Sequence, residues 1–124
     1  MDIEKLKIDA ENGDAEAQCA LGKMLLGIDC DGANIAENTD EGVELLKSAA
    51  QKGNAEAEFN LGLCYLFGRG VEENREEAFR YTVSAANKNY ARAQNNVGNF
   101  YESGIGVDKD ENAAFEWYKK DAEQ

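Results

Sequence analysis

The stretch NAEAEFNLGLCYLFGRGV, residues 54–71, decides how the chain is read. A Gly-x-Gly follows directly on a run that mixes Ala and Gly with aliphatic and aromatic residues. It is either a glycine-rich loop that cradles phosphate or one unit of a repeated architecture. Residues 90–107, YARAQNNVGNFYESGIGV, favour the second reading. Ala55 corresponds to Ala91, Ala57 to Ala93, Gly62 to Gly98 and Tyr65 to Tyr101. Gly68, Gly70 and Val71 correspond to Gly104, Gly106 and Val107, every match at an offset of 36 residues. An earlier copy, DAEAQCALGKML from Asp14, keeps Ala15, Ala17, Leu21, Gly22 and Leu25 in register at an offset of 40. The four extra residues fall in the loop GIDCDGAN, residues 27–34. Self-similarity at a fixed period of this length marks a tandem array.

Each copy reads as two helices. The first opens at Asp14, Asn54 or Asn89, types that cap a helix start, and spaces apolar residues helically, as in Ala57, Leu61 and Tyr65. Gly22, Gly62 and Gly98 recur inside it, where glycine costs about 1 kcal/mol relative to alanine. A cost repeated three times predicts a neighbouring helix too close for a side chain. The Gly-x-Gly then forms the turn. A second helix follows Asn38, Asn74 or Asp110 and carries EGVELLKSAA, EEAFRYTVSAA or NAAFEWYKKDA. It ends at Gly53, or at Asn89 in the next copy, both tolerant of the left-handed backbone at a helix C-terminus. The expected chain is a single all-α domain of about seven helices. Residues 1–13 form a leading half-repeat helix, 14–53 a first repeat with its loop insertion, 54–89 a second and 90–124 a third. The absence of proline suits long uninterrupted helices. Phosphate binding does not fit, because Gly68-Arg69-Gly70 follows a helix and lacks the lysine and hydroxyl of a Walker loop.

The formal charge of −12 is uneven: residues 1–44 hold twelve acids against three bases, Lys5, Lys7 and Lys23. A field of that sign repels phosphate backbones, so neither nucleic acid nor anionic membrane is expected as a partner; the charge fits a basic partner or simply a solubilising surface. No run of about 18 apolar residues is present to span a membrane. The start, MDIEKLKIDAENGD, has no apolar signal core, so a cytoplasmic location is expected, or a periplasmic or secreted one had a signal been removed. Three cysteines without repeated spacing, and no histidine, argue against a disulfide framework and against a zinc site. Cys19 and Cys64 read as small core residues, Cys30 as an exposed thiol in a polar loop. No serine stands in an S-x-x-K or G-x-S-x-G context, and paired acids such as Glu76-Glu77 read as a solvated face. Asp29-Cys30-Asp31-Gly32 meets neither the spacing nor the distal glutamate of a calcium loop. No catalysis, metal or cofactor is expected.

The order Ala-x-Ala-x-x-x-Leu-Gly-x-x-Tyr, then Gly-x-Gly-Val, then Ala-x-x-Trp-Tyr-x-x-Ala-Ala resembles the Sel-1-like repeat, a relative of the tetratricopeptide repeat. Residues 54–89 and 90–124 carry the resemblance most fully, and 14–53 carries it with the insertion. Trp117-Tyr118 stands only in the last copy, against Leu45-Leu46 and Tyr81-Thr82. Asp121 replaces the alanine found as Ala49 and Ala85, which suggests a polar terminal face. The resemblance implies a right-handed α-solenoid of antiparallel helix pairs that holds proteins together, with no chemistry common to its members. Cysteine-rich relatives join the helices of each unit by disulfides, and weak penicillin binding or hydrolysis has been claimed for them. This chain has no cysteine in a second helix.

In such solenoids the first helices usually line the concave side. Residues spaced four, three and four apart share a helix face, and one such stripe differs between copies. It reads Glu16, Ala20, Lys23 in the first, Glu56, Asn60, Leu63, Phe67 in the second and Arg92, Asn96, Asn99, Ser103 in the third. Lys23, Asn60, Leu63, Phe67, Arg92, Asn96 and Asn99 are therefore the candidate partner-binding residues. An amide both donates and accepts, so Asn60 and Asn96 suit the backbone of an extended peptide, or else satisfy neighbouring backbone or water. Phe67 aligns with Gly27 and Ser103 and is the aromatic candidate, whereas Tyr65, Tyr101 and Trp117 occupy repeat positions that suit core packing. The expected protein is a monomeric adaptor for a protein or peptide. Its alternatives are a structural fragment of a longer repeat protein without autonomous activity, and a small-ligand binder or weak hydrolase.

Overall fold

In the computed structural model, residues 3–28 and 39–123 are described. Among them seven helices follow in order: α1 (Ile3–Glu11), α2 (Ala15–Leu26), α3 (Thr39–Gln51), α4 (Ala55–Phe67), α5 (Arg75–Asn87), α6 (Ala91–Ser103) and α7 (Glu111–Ala122). There is no strand among the described residues. Most starts are capped as the residue types require. Side-chain oxygens of Asp14, Asn54, Asn74 and Asp110 accept from the backbone N–H three residues on. The expected Asn89 cap is displaced by one residue: Tyr90 is the N-cap of α6 and makes no side-chain cap bond. Asn89 instead takes φ 66°, the left-handed conformation that Gly53 adopts with φ 86° at the preceding boundary. The Asn38 cap, Cys30 and most of the loop insertion lie outside the described residues.

Contacts are densest within the pairs α2/α3, α4/α5 and α6/α7, and each second helix also packs on the next first helix, so the units form a solenoid. The recurrent glycines explain how the pairs close. A Cβ on Gly62 would stand 2.5 Å from Thr82 Oγ1 and 3.2 Å from the Ala78 carbonyl oxygen. One on Gly22 would stand 2.9 Å from the Gly42 carbonyl oxygen, and one on Gly98 2.6 Å from the Tyr118 ring. The second glycine of each turn does more than permit left-handed backbone. A Cβ on Gly70 would lie 2.8 Å from Val43 Cγ2 and 3.0 Å from the Thr39 carbonyl oxygen, at the start of the preceding unit's second helix. Gly106 faces the equivalent Arg75 carbonyl and Phe79. The Gly-x-Gly is thus an inter-repeat contact as well as a turn.

The core runs the length of the stack. One cluster joins Cys19, Leu26, Val43, Leu46, Leu61 and Cys64 across the first two units. Another joins Phe59, Ala85, Ala86, Ala93 and Val97 across the last two. Tyr65 stacks on Tyr81 with centroids 5.7 Å apart, Tyr101 meets Phe79 edge-on at 5.4 Å, and Trp117 packs against the second cluster. All three aromatic repeat positions serve packing.

Candidate functional site

Once each first helix has packed against its own second helix and the one before it, one face of α2, α4 and α6 is left. α2 and α4 touch directly across the repeat boundary, as inner helices of a curved stack do. Between their first turns opens a cleft of about 440 Å³, lined by Glu16, Cys19, Asn54, Ala55, Glu56 and Tyr90. Glu16 and Glu56 stand here because the acidic residue after the first alanine recurs in the first two copies. The third copy has Arg92 at that position.

Lys23 Nζ lies 3.2 Å from Glu56 Oε1, an ion pair from α2 to α4. The Cys19 thiol donates to the same oxygen at 3.4 Å. Burial, followed by the Glu56 charge, pushes that thiol up to about 12, so it is neutral at physiological pH. Burial and the same carboxylate also raise the Tyr90 phenol. On the other side of Glu56, the Arg92 guanidinium lies 4.9 Å from the centre of the Phe59 ring and ties α6 to α4. Adjacent first helices are thus linked by charged residues of the variable stripe.

The stripe does not form one exposed row. Asn60 is 2% exposed, so it is not the solvent-facing amide expected from its position. The reason is the neighbour: α2 lies close enough to α4 to cover that turn. Leu63 is half-buried in the second core cluster, on the side turned towards the third unit. Its equivalent Asn99 is exposed and lies 2.5 Å from the Tyr118 hydroxyl, which also stands 2.6 Å from Glu102 Oε2. That hydrogen bond to Glu102 pushes the Tyr118 phenol up to about 12. Asn96 is half-buried. Phe67 is 72% exposed at the C-terminal end of α4 and belongs to none of the core clusters. The structure therefore separates the seven candidates: Lys23 and Arg92 are bridges between units, Asn60 and Leu63 belong to the packing, Asn96 is half-buried, Asn99 is exposed but bonded to Tyr118, and Phe67 is free of the packing.

One recurrent polar position escapes the hydrophobic pattern altogether. Gln18, Glu58 and Gln94 occupy equivalent sites and are each buried. Gln18 Nε2 donates to the Ala10 carbonyl at 3.1 Å, and Gln94 Nε2 donates to the Ala86 carbonyl at 3.3 Å, each reaching back to the preceding second helix. Lys52 closes on Gln18 Oε1 at 3.0 Å and Lys88 on Glu58 Oε1 at 2.5 Å, while Ser84 also donates to Glu58. The signal was present in the sequence as a polar residue repeating among core alanines. No buried side-chain nitrogen or oxygen among the described residues lacks a partner. Among them, too, no cluster of three or more His, Cys, Asp or Glu is placed to hold a metal, and no helix is long and apolar enough to cross a membrane.

Known proteins of the same shape bear on this helical face. A Sel1 repeat protein from Oxalobacter formigenes superposes with a TM-score of 0.92 at 32% identity, covering 100% of this chain and 92% of that one. A protective antigen of uropathogenic Escherichia coli with an SLR fold gives 0.71 at 29% identity, this chain covering 33% of it. Cysteine-rich protein B of Helicobacter pylori gives 0.75 at 22% identity over 99% of this chain and 90% of that one, and shares the fold. No curated protein matches the sequence. The Sel1 repeat family matches at residues 15–54, 55–90 and 91–124, and the chain belongs to that family.

Proposed function

We propose that the chain is a non-catalytic adaptor that binds a basic peptide or protein segment along the face of α2, α4 and α6. The family generally scaffolds protein interactions, which supports the class of function. The observation that carries the finer reading is the cleft beside Glu16, Glu56 and Tyr90, together with exposed Phe67 farther along the same stripe of α4. Glu56 and Phe67 are eleven residues apart, about 16 Å at 1.5 Å per residue. An extended segment of about five residues spans that distance. Its basic end would meet the carboxylates and its apolar end would cover Phe67. Lys23 already neutralises part of Glu56, so Glu16 supplies the uncommitted charge.

The test is a selection of peptides from a random displayed library against the folded chain, followed by titration. Selected peptides should be rich in Lys or Arg, and Phe67→Ala and Glu16→Lys should each weaken them about tenfold without lowering the melting temperature. Peptides of no charge bias, bound equally by both variants, would place recognition on another surface.

A further inference from the structure

Phe115 on α7 is 64% exposed, although its equivalents in the preceding units are covered. Val43 is buried beneath Gly70, and Phe79 packs beside Gly106 and against Phe100, with ring centroids 6.3 Å apart. Another helix pair stacked in the same register does not suit this face. Phe59, Leu63 and Val83, which pack towards α6, have as third-unit equivalents Asn95, Asn99 and Lys119, all exposed. Covering them with a first helix would desolvate three polar side chains. A narrower contact fits better.

Glu111, Phe115 and Lys119 are spaced four apart and form a single ridge on α7. The acid and the base are both exposed, and neither enters an ion pair among the described residues. The ridge is self-complementary. A two-fold axis through Phe115 brings Glu111 of one copy onto Lys119 of the other, and the reverse pair forms at the same time. Ridges of this i±4 kind interdigitate with helices crossing at about 50°. A groove of about 250 Å³ lined by Glu102, Glu111, Ala114, Phe115 and Tyr118 lies alongside, with room for the phenyl ring of the second copy.

We propose that the Glu111–Phe115–Lys119 ridge is a homodimer interface, with a second copy of this chain as its occupant. One helix ridge buries little area, so the dimer is weak and reversible. This revises the expectation of a monomer and is independent of the groove on the first helices.

The test is sedimentation velocity at low ionic strength over a concentration series reaching about 1 mM. Wild type should pass from monomer to dimer, and Phe115→Ala should raise the dissociation constant about tenfold or more. Glu111→Lys and Lys119→Glu should each weaken self-association, because each sets like charges against one another. Mixed in equal amounts, the two single variants should associate with each other, since every facing pair is then opposite in sign. Circular dichroism of each variant controls for loss of α7. A wild type that stays monomeric throughout, or a dimer indifferent to Phe115→Ala and to both charge reversals, would overturn the proposal.

Discussion

Gly62 meets Thr82 where α4 closes on α5: a Cβ on the glycine would stand 2.5 Å from the threonine Oγ1, which donates to the Ala78 carbonyl at 2.7 Å. The hydroxyl is held by that bond and cannot swing aside freely. Gly62→Leu should therefore destabilise the fold by about 3 kcal/mol or more in denaturant unfolding, through overpacking. Thr82→Ala should recover part of the smaller loss caused by Gly62→Ala, because it removes the atom that the new methyl group meets. An additive pair would contradict the contact.

The two glycines of the turn should not be equivalent. Gly68 and Gly70 both have positive φ, 67° and 74°. Around Gly68 a Cβ finds its nearest atom at 3.5 Å, so Gly68→Ala should cost about 1–2 kcal/mol for conformation alone. Gly70→Ala adds a collision with Val43 and the Thr39 carbonyl and should cost clearly more. Equal losses in denaturant titrations would show that Gly70 acts only as a turn.

Asn60→Ala should lower stability by about 1–3 kcal/mol, since the amide is buried and its loss leaves neighbouring polar groups short of a partner. Half-buried Asn96 should cost less on substitution. Thermal melts of the two single variants decide this, and an Asn60→Ala variant as stable as wild type would return Asn60 to the recognition surface.

The Cys19 and Cys64 thiols should be unreactive in the native state. Burial pushes them to about 12 and about 11, against an ordinary value of 9.0. The folded chain thus keeps protons that the unfolded chain sheds above about pH 9. The stability these thiols contribute is complete below that point and is lost as pH rises through about 9 to 12. Urea unfolding between pH 8 and 11 should show a declining midpoint, less steep in a Cys19→Ala, Cys64→Ala double variant. Rapid native-state labelling of both thiols at pH 8 would contradict their burial.

Much of the architecture was legible because repetition exposes it. The period gave the helix pairs, Gly22, Gly62 and Gly98 gave their close approach, and Asp14, Asn54, Asn74 and Asp110 gave their starts. Periodicity shows which positions vary but not what stands opposite them. Asn60 and Leu63 vary as a recognition residue would, yet a neighbouring unit covers each of them. The Gln18, Glu58 and Gln94 position was overlooked for the converse reason, since a polar residue inside an alanine-rich helix looks like surface until the preceding carbonyl is in place. The exposure of Phe67 was legible because its equivalents, Gly27 and Ser103, are too small to form a core.

Chemical-shift mapping of the labelled chain, titrated with a peptide from the displayed-library selection, tests the adaptor reading most directly. Backbone shifts should concentrate at Glu16, Glu56, Phe67 and Tyr90, and the affinity should fall as salt is raised. Shifts gathered instead on α3 and α5, with no perturbation around Glu16 or Phe67, would contradict it.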